Sequence, residues 1–188
     1  MALIAPPNTA LSAIADDGPD PRDVVLGAIA DGPGASFVAL KKAPPALRAD
    51  RDIVRAVVEH DGYALALTTE ELKADKELVL AAVRQEGYAL ADAAPTLRAD
   101  KEVVLAAVSS MGDALMYAEE SLQNDRSFVL EAVRAHGEAL GHAAVELRAD
   151  REIALAAVQQ NRAALKFVDE SLKEDDEILA AAGGAAVN

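Results

Sequence analysis

The segment Leu97-Arg98-Ala99-Asp100-Lys101-Glu102-Val103-Val104-Leu105-Ala106-Ala107-Val108, followed by Gly112 and Ala114-Leu115, is the key to this chain, because the chain repeats it. Strings similar to Leu97-Arg98-Ala99-Asp100 start at Leu47, Leu72, Leu122, Leu147 and Leu172, so that with Leu97 the starts step by 25 residues. Their aspartates are Asp50, Asp75, Asp100, Asp125, Asp150 and Asp175. A glycine recurs at Gly62, Gly87, Gly112 and Gly137, and the next place in that column holds Arg162 after Asn161. A fixed period of this size is the signature of a repeat architecture, in which no unit buries its apolar face alone.

One unit predicts its own local structure. Asp75 is an N-cap, since its carboxylate can accept from the free N–H groups of a first helical turn. Glu77 places a negative charge at the positive end of that helix. Leu78, Val79, Leu80, Ala82 and Val83 then spread over about 200° of helix surface, enough to pack against a neighbour on each side. Gly87 is expected to end this first helix in a left-handed conformation, with Asn161 doing so where Arg162 fills the glycine column. Ala89, Leu90 and Ala93 predict a second, shorter helix, limited by Pro95. The unit is thus a long helix, a short helix and a tight turn. No stretch alternates with period two, so no sheet is expected.

The expected architecture is an all-α helical-repeat solenoid over residues 20–182, with regular units from residue 50. A degenerate first unit covers 20–49, where Arg22-Asp23-Val24-Val25 resembles Arg51-Asp52-Ile53-Val54. That spacing is 29, so four extra residues are assigned to a loop around Gly32-Pro33-Gly34. Residues 1–19 are read as an extension and 183–188 as a flexible tail. A second period overlays the first. Pro45 and Pro95 share a column, and Leu-Arg-Ala-Asp recurs unchanged only in alternate units, which points to duplication of a two-unit block.

These columns resemble the family known as domain of unknown function 4116, over about Leu47 to Ala182. The chain departs from the pattern at Ser127, Glu131, Arg162 and Asp176. The resemblance implies tandem short helices and an interaction role. It supplies no catalytic residue.

Composition narrows the function classes. Apolar residues make up 52% of the 188-residue chain but aromatics only 3%, so Ala, Val and Leu must build the core. The net charge of −14 argues against nucleic acid. There is no cysteine, hence no thiolate chemistry or disulfide. No apolar run is long enough to span a membrane. With no basic leader before Asp16 and Asp17, a cytoplasmic protein is expected. His60, His136 and His142 lie in separate units without metal-ligand spacing. No catalytic pair, cofactor or metal site is therefore expected, and the chain is read as a non-enzyme.

Two columns stand apart, because they vary while their neighbours repeat. One runs Tyr63, Tyr88, Asp113, Glu138, Ala163 and the other Leu67, Asp92, Tyr117, His142, Phe167. Exposed tyrosines are frequent interface anchors. Tyr63, Tyr88, Tyr117 and Phe167 are accordingly the candidate partner-binding residues, with gap-filling along the stack as the alternative. A second candidate is a row of cations, Arg48, Lys73, Arg98, Arg148 and Lys173, interrupted by Gln123. This row either meets an acidic partner or pairs with acids of neighbouring units. The leading functional expectation is a protein-interaction module or scaffold. The alternatives are an accessory subunit of a larger assembly and an acidic cation-binding protein.

Overall fold

The computed structural model describes residues 18–183. The expected tail at 184–188 and most of the N-terminal extension lie outside those residues. Among the described residues all regular structure is helical.

Each regular unit contains three pieces. A long α-helix begins one residue after the aspartate: α4 (Arg51–Val58), α6 (Lys76–Gln85), α8 (Lys101–Ser110), α10 (Arg126–Ala135) and α12 (Arg151–Gln160). A six-residue 3₁₀ segment follows, at Gly62–Leu67, Gly87–Asp92, Gly112–Tyr117, Gly137–His142 and Arg162–Phe167. One α-turn then leads to the next aspartate: α5 (Glu70–Lys73), α7 (Pro95–Arg98), α9 (Glu120–Gln123) and α11 (Val145–Arg148). The last such turn, Glu170–Leu172, is itself 3₁₀, and the stack ends on the six-residue α13 (Asp176–Ala181). The second helix of the unit is therefore 3₁₀ rather than α. Short 3₁₀ runs are common as connectors, where the chain must turn quickly.

The first unit differs as its length requires. Asp20 caps α1 (Pro21–Ile29), accepting from the Arg22 N–H at 2.8 Å. Gly32, at φ +106°, turns the chain. The extra residues do not form a loop as expected. They extend the 3₁₀ position into a ten-residue helix, α2 (Pro33–Lys42), before α3 (Pro45–Arg48). Helix α2 packs on α4 and on the first 3₁₀ segment, taking the place of one more 3₁₀ segment in the stack.

Like packs on like. Long helices contact the long helices of adjacent units, and 3₁₀ segments contact 3₁₀ segments. The core consists of columns: Leu65, Leu90, Leu115 and Leu140 are fully buried, as are Val79, Val104 and Val129 and the alanines at 82, 107, 132 and 157. Helices lined by Ala and Val can approach closely, so the array fills its interior without large rings. Phe128 is the one aromatic side chain in the core of the described residues.

The glycine column serves this close approach, which corrects the left-handed expectation. Of these residues none has positive φ; among the described residues only Gly32 and Gly183 do. A Cβ on Gly87 would lie 2.6 Å from the Ala107 carbonyl oxygen and 2.9 Å from the Met111 Cβ, both in the next unit. Gly62 and Gly137 face the carbonyls of Ala82 and Ala157 in the same way. Asn161 is likewise extended, at φ −144°, and its side chain accepts from the Ala163 N–H. Arg162 is tolerated because α13 is short and Gly183 (φ +85°) leaves room for the guanidinium, which a Cβ there would approach to 2.9 Å; Arg162 stays exposed.

The aspartate column does two things at once. One oxygen of each Asp caps its own helix: Asp100 accepts from Glu102 and Val103 N–H at 3.0 and 3.2 Å. The other oxygen takes the cation that follows the aspartate of the preceding unit. The pairs are Arg51–Asp75 (2.6 Å), Lys76–Asp100 (2.7 Å), Lys101–Asp125 (2.6 Å), Arg126–Asp150 (2.7 Å) and Arg151–Asp175 (2.8 Å), with Arg22–Asp50 (2.8 Å) leading. Arg51, Lys76, Arg126 and Arg151 also reach the glutamate two residues beyond the cap. Where Ser127 replaces that glutamate, its hydroxyl donates to Asp125 instead, at 2.7 Å. Donation from these cations holds Asp75, Asp100, Asp125, Asp150 and Asp175 below the usual carboxylate range. Asp50 is lowered first by the Ile53 N–H. The cations are 41–57% exposed from Arg51 to Arg151, so each pair contributes little alone.

Candidate interaction surface

The edge opposite in character is built from the stacked 3₁₀ segments. Their fixed residues face inward: Ala64, Ala89, Ala114 and Ala139 are fully buried beside the leucine column. Their first and last variable residues stay half-buried or exposed. The two variable columns meet diagonally across unit junctions. Tyr88 packs edge-to-face on Tyr117, centroids 5.9 Å apart at 79°. One unit on, Asp113 Oδ1 lies 3.1 Å from His142 Nε2. One unit further, Glu138 lies 3.8 Å from the Lys166 Nζ, which sits 4.5 Å over the Phe167 ring. The diagonal thus carries an aromatic pair and then an acid–imidazole pair, and at the third junction, where the second column holds Phe167, the acid meets the amine of the residue before it, Lys166.

The four aromatics expected to form the site are only partly brought together. Tyr88 and Tyr117 touch. Tyr63 lies one unit before them and is 44% exposed. Phe167 lies at the far end, half-buried against the core and against Gly141, where a Cβ would come within 2.8 Å of its ring. The edge is a chain of pairs, and its polar members, Asp92, Asp113, Glu138 and His142, were in the columns but not among the expected anchors. Their common signal was the variation itself.

Electrostatics marks the same edge. Burial, then the carboxylate of Glu86, raises the Tyr63 phenol above its usual range. Burial, then the Asp113 charge, does so for Tyr88. Burial raises Asp61 and Asp92. A cleft of about 150 Å³ opens between Tyr88, Met111, Gly112, Asp113, His136 and Glu138. The His136 Nδ1 is buried against Gly112 without a hydrogen-bond partner. His60 is elsewhere, its Nδ1 3.0 Å from the Ala56 carbonyl.

Three cations of the row on the short turns are paired locally. Lys73 reaches Glu70 and Lys173 reaches Glu170, while Arg98 lies 3.5 Å from Glu119 of the next unit. Gln123 donates to the carbonyls of Leu115, Met116 and Ala118 at the end of the 3₁₀ segment, the first of which also accepts from the Ala118 N–H. The backbone joins units here too: Ala94, Glu119, Ala144 and Asp169 N–H donate to the carbonyls of residues 73, 98, 123 and 148. The two-unit period also appears, since the row holds arginine in alternate units, and Arg48, Arg98 and Arg148 each bury an Nε without a partner.

Repeating helical units stacked side by side, with one fixed charged edge and one variable edge, define an all-α tandem-repeat protein. The model of the family described as Domain of unknown function (DUF4116) matches three times in tandem, at residues 50–98, 100–148 and 150–182, and the chain belongs to that family. Each match begins at an aspartate cap, and the first two span two 25-residue units, so the family's unit is the two-unit block. No curated protein matches the chain, and no solved structure does. Among the described residues no helix is long and apolar enough to cross a membrane.

Proposed function

We propose that this chain is a non-enzymatic interaction module whose 3₁₀ edge receives a protein partner, with Tyr63, Tyr88 and Tyr117 as its contact residues. One observation carries this reading. The buried columns of the stack, such as Leu65, Leu90, Leu115 and Leu140, repeat their chemistry, whereas the two columns of this edge change from unit to unit, stay partly open to solvent and still meet one another across the junctions, as Tyr88 meets Tyr117 and Asp113 meets His142. A column whose only task was to fill space would be served equally well by the same side chain each time. Phe167 belongs to the edge by position but packs as a spacer. The test is capture from native extract with the intact chain as bait, beside a bait carrying Tyr63→Ser and Tyr88→Ser. A stoichiometric partner held by the first and released by the second, with matched circular dichroism, supports the reading. A partner held equally by both removes the 3₁₀ edge from it.

A second reading, an accessory subunit of a larger assembly, is favoured by the N-terminal unit. Val24, Leu26 and Val38 are 45%, 38% and 45% exposed there. Val24 also lines a mainly apolar groove with Pro19, Pro21, Ala43 and Pro44. Sedimentation of the purified chain at high concentration tests it: a monomer that associates with nothing in extract counts against it.

A further inference from the structure

We infer that the partner segment taken by the 3₁₀ edge is basic and extended, presenting lysine or arginine at about every third residue. The inference rests on the preceding reading of that edge and adds the chemistry of what binds there.

The charge of −14 is unevenly spent. On the aspartate edge each cap from Asp50 to Asp175 already holds a cation. The groove between α4 and α6 carries both signs, with Arg55 and Arg84 beside Glu59 and Glu77. The 3₁₀ and short-turn segments of the three central units are different. Residues 86–98, 111–123 and 136–148 hold seven carboxylates against two arginines. Arg98 is already near Glu119, and Gln123 stands where neighbouring units have a cation. The excess negative charge therefore lies where the Tyr88–Tyr117 pair and the cleft are.

The cleft suits a cationic head. Asp113 and Glu138 flank the Tyr88 ring, giving two carboxylates for charge-assisted hydrogen bonds and an aromatic surface for a cation. Asp113 contacts His142, and Glu138 meets Lys166 only at 3.8 Å, so neither carboxylate is saturated. The Tyr88 phenol is raised by burial first and by the Asp113 charge second, so that carboxylate acts on the ring's edge of the cleft. The spacing follows from the stack. Packed helices lie about 9 Å apart, and an extended chain advances about 3.1 Å per residue. A segment lying along the edge would thus meet the next unit's acidic group after about three residues. A phosphate-bearing partner would be repelled by the same carboxylates.

The experiment is fluorescence anisotropy with the intact chain and a fluorescein-labelled peptide of four Lys-Gly-Gly repeats, beside a peptide of equal charge with its lysines contiguous. Binding that weakens with salt, is at least fivefold tighter for the spaced peptide, and drops at least tenfold in the Asp113→Asn, Glu138→Gln double variant is expected. The Glu59→Gln, Glu131→Gln double variant removes equal charge from the long-helix side and should stay within twofold. Equal loss in both double variants, no preference for spacing, or no binding overturns the inference. Native capture then separates the two readings. A partner retained by the Asp113→Asn, Glu138→Gln bait but lost with Tyr63→Ser and Tyr88→Ser leaves the interaction module standing without a basic ligand. No captured partner and no bound peptide removes both.

Discussion

The two edges of this stack are made from the same repeat but follow opposite rules. On the aspartate edge the residue types barely change, and every polar group is accounted for between adjacent units: one carboxylate oxygen for its own helix, the other for the neighbour's cation. On the 3₁₀ edge the residue types change at each junction, and the pairs they form are aromatic, imidazole or amine by turns. The difference shows what regularity is for. A stack stays in register only if each junction repeats the same contacts, because a unit's stability is largely its interface with its neighbours. Where that requirement is met elsewhere, side chains are free to serve something outside the stack.

The comparison breaks most severely if the stack itself is forced apart. Leu115→Ala, at a fully buried position, is expected to cost about 3 kcal/mol in denaturant unfolding. Gly87→Ala should cost about 2 kcal/mol, because the obstacle is the backbone carbonyl of Ala107. Gly112→Ala should cost less, because the group in its way is the His136 ring, which can rotate. Arg162→Gly should change stability by no more than about 1 kcal/mol, the ordinary cost of a glycine. A Gly87→Ala protein as stable as the parent would show that close approach is not what the column provides.

The aspartate edge yields a smaller effect. Asp100→Ala removes a cap and a cross-unit partner, and about 1 kcal/mol is expected, mostly from the cap. Its pH dependence has a definite sign. The six caps have folded pKa values below their unfolded ones, so their contribution is complete above about pH 4 and is lost as pH falls through the folded values. Asp61 and Asp92, raised by burial, act the other way but are fewer. Thermal melts should therefore drop steadily on acidification below about pH 4; melting that improved there would mean the capping bonds carry no stability.

The smallest effect belongs to the variable edge. Tyr117→Leu keeps apolar volume and loses the edge-to-face contact, so the melting temperature should fall by only about 2 °C. A loss comparable to that of Leu115→Ala would make this edge a structural seam like the other.

Much of this was legible in the residues, and the reason is distance along the chain. The 25-residue period is read by comparing the chain with itself, and the unit boundaries, the aspartate caps and the all-α class depend on residues three or four apart, where dihedral preferences and first-turn hydrogen bonds act. The buried arc of α6 follows from spacing alone: Leu78, Val79, Ala82 and Val83 are buried, and Leu80 lies at the rim. What spacing could not supply is how one unit sits on the next. That relation makes glycine necessary at Gly87 for want of room rather than for positive φ, directs Lys76 to Asp100 and its homologues likewise, converts extra residues of the first unit into α2, and sets Tyr88 against Tyr117 but not Phe167. These contacts join residues twenty or more positions apart, from Gly87 and Ala107 to Tyr88 and Tyr117. Their geometry is set by the rise and rotation between packed helices, which is a property of the whole array, and so only the tertiary structure decided them.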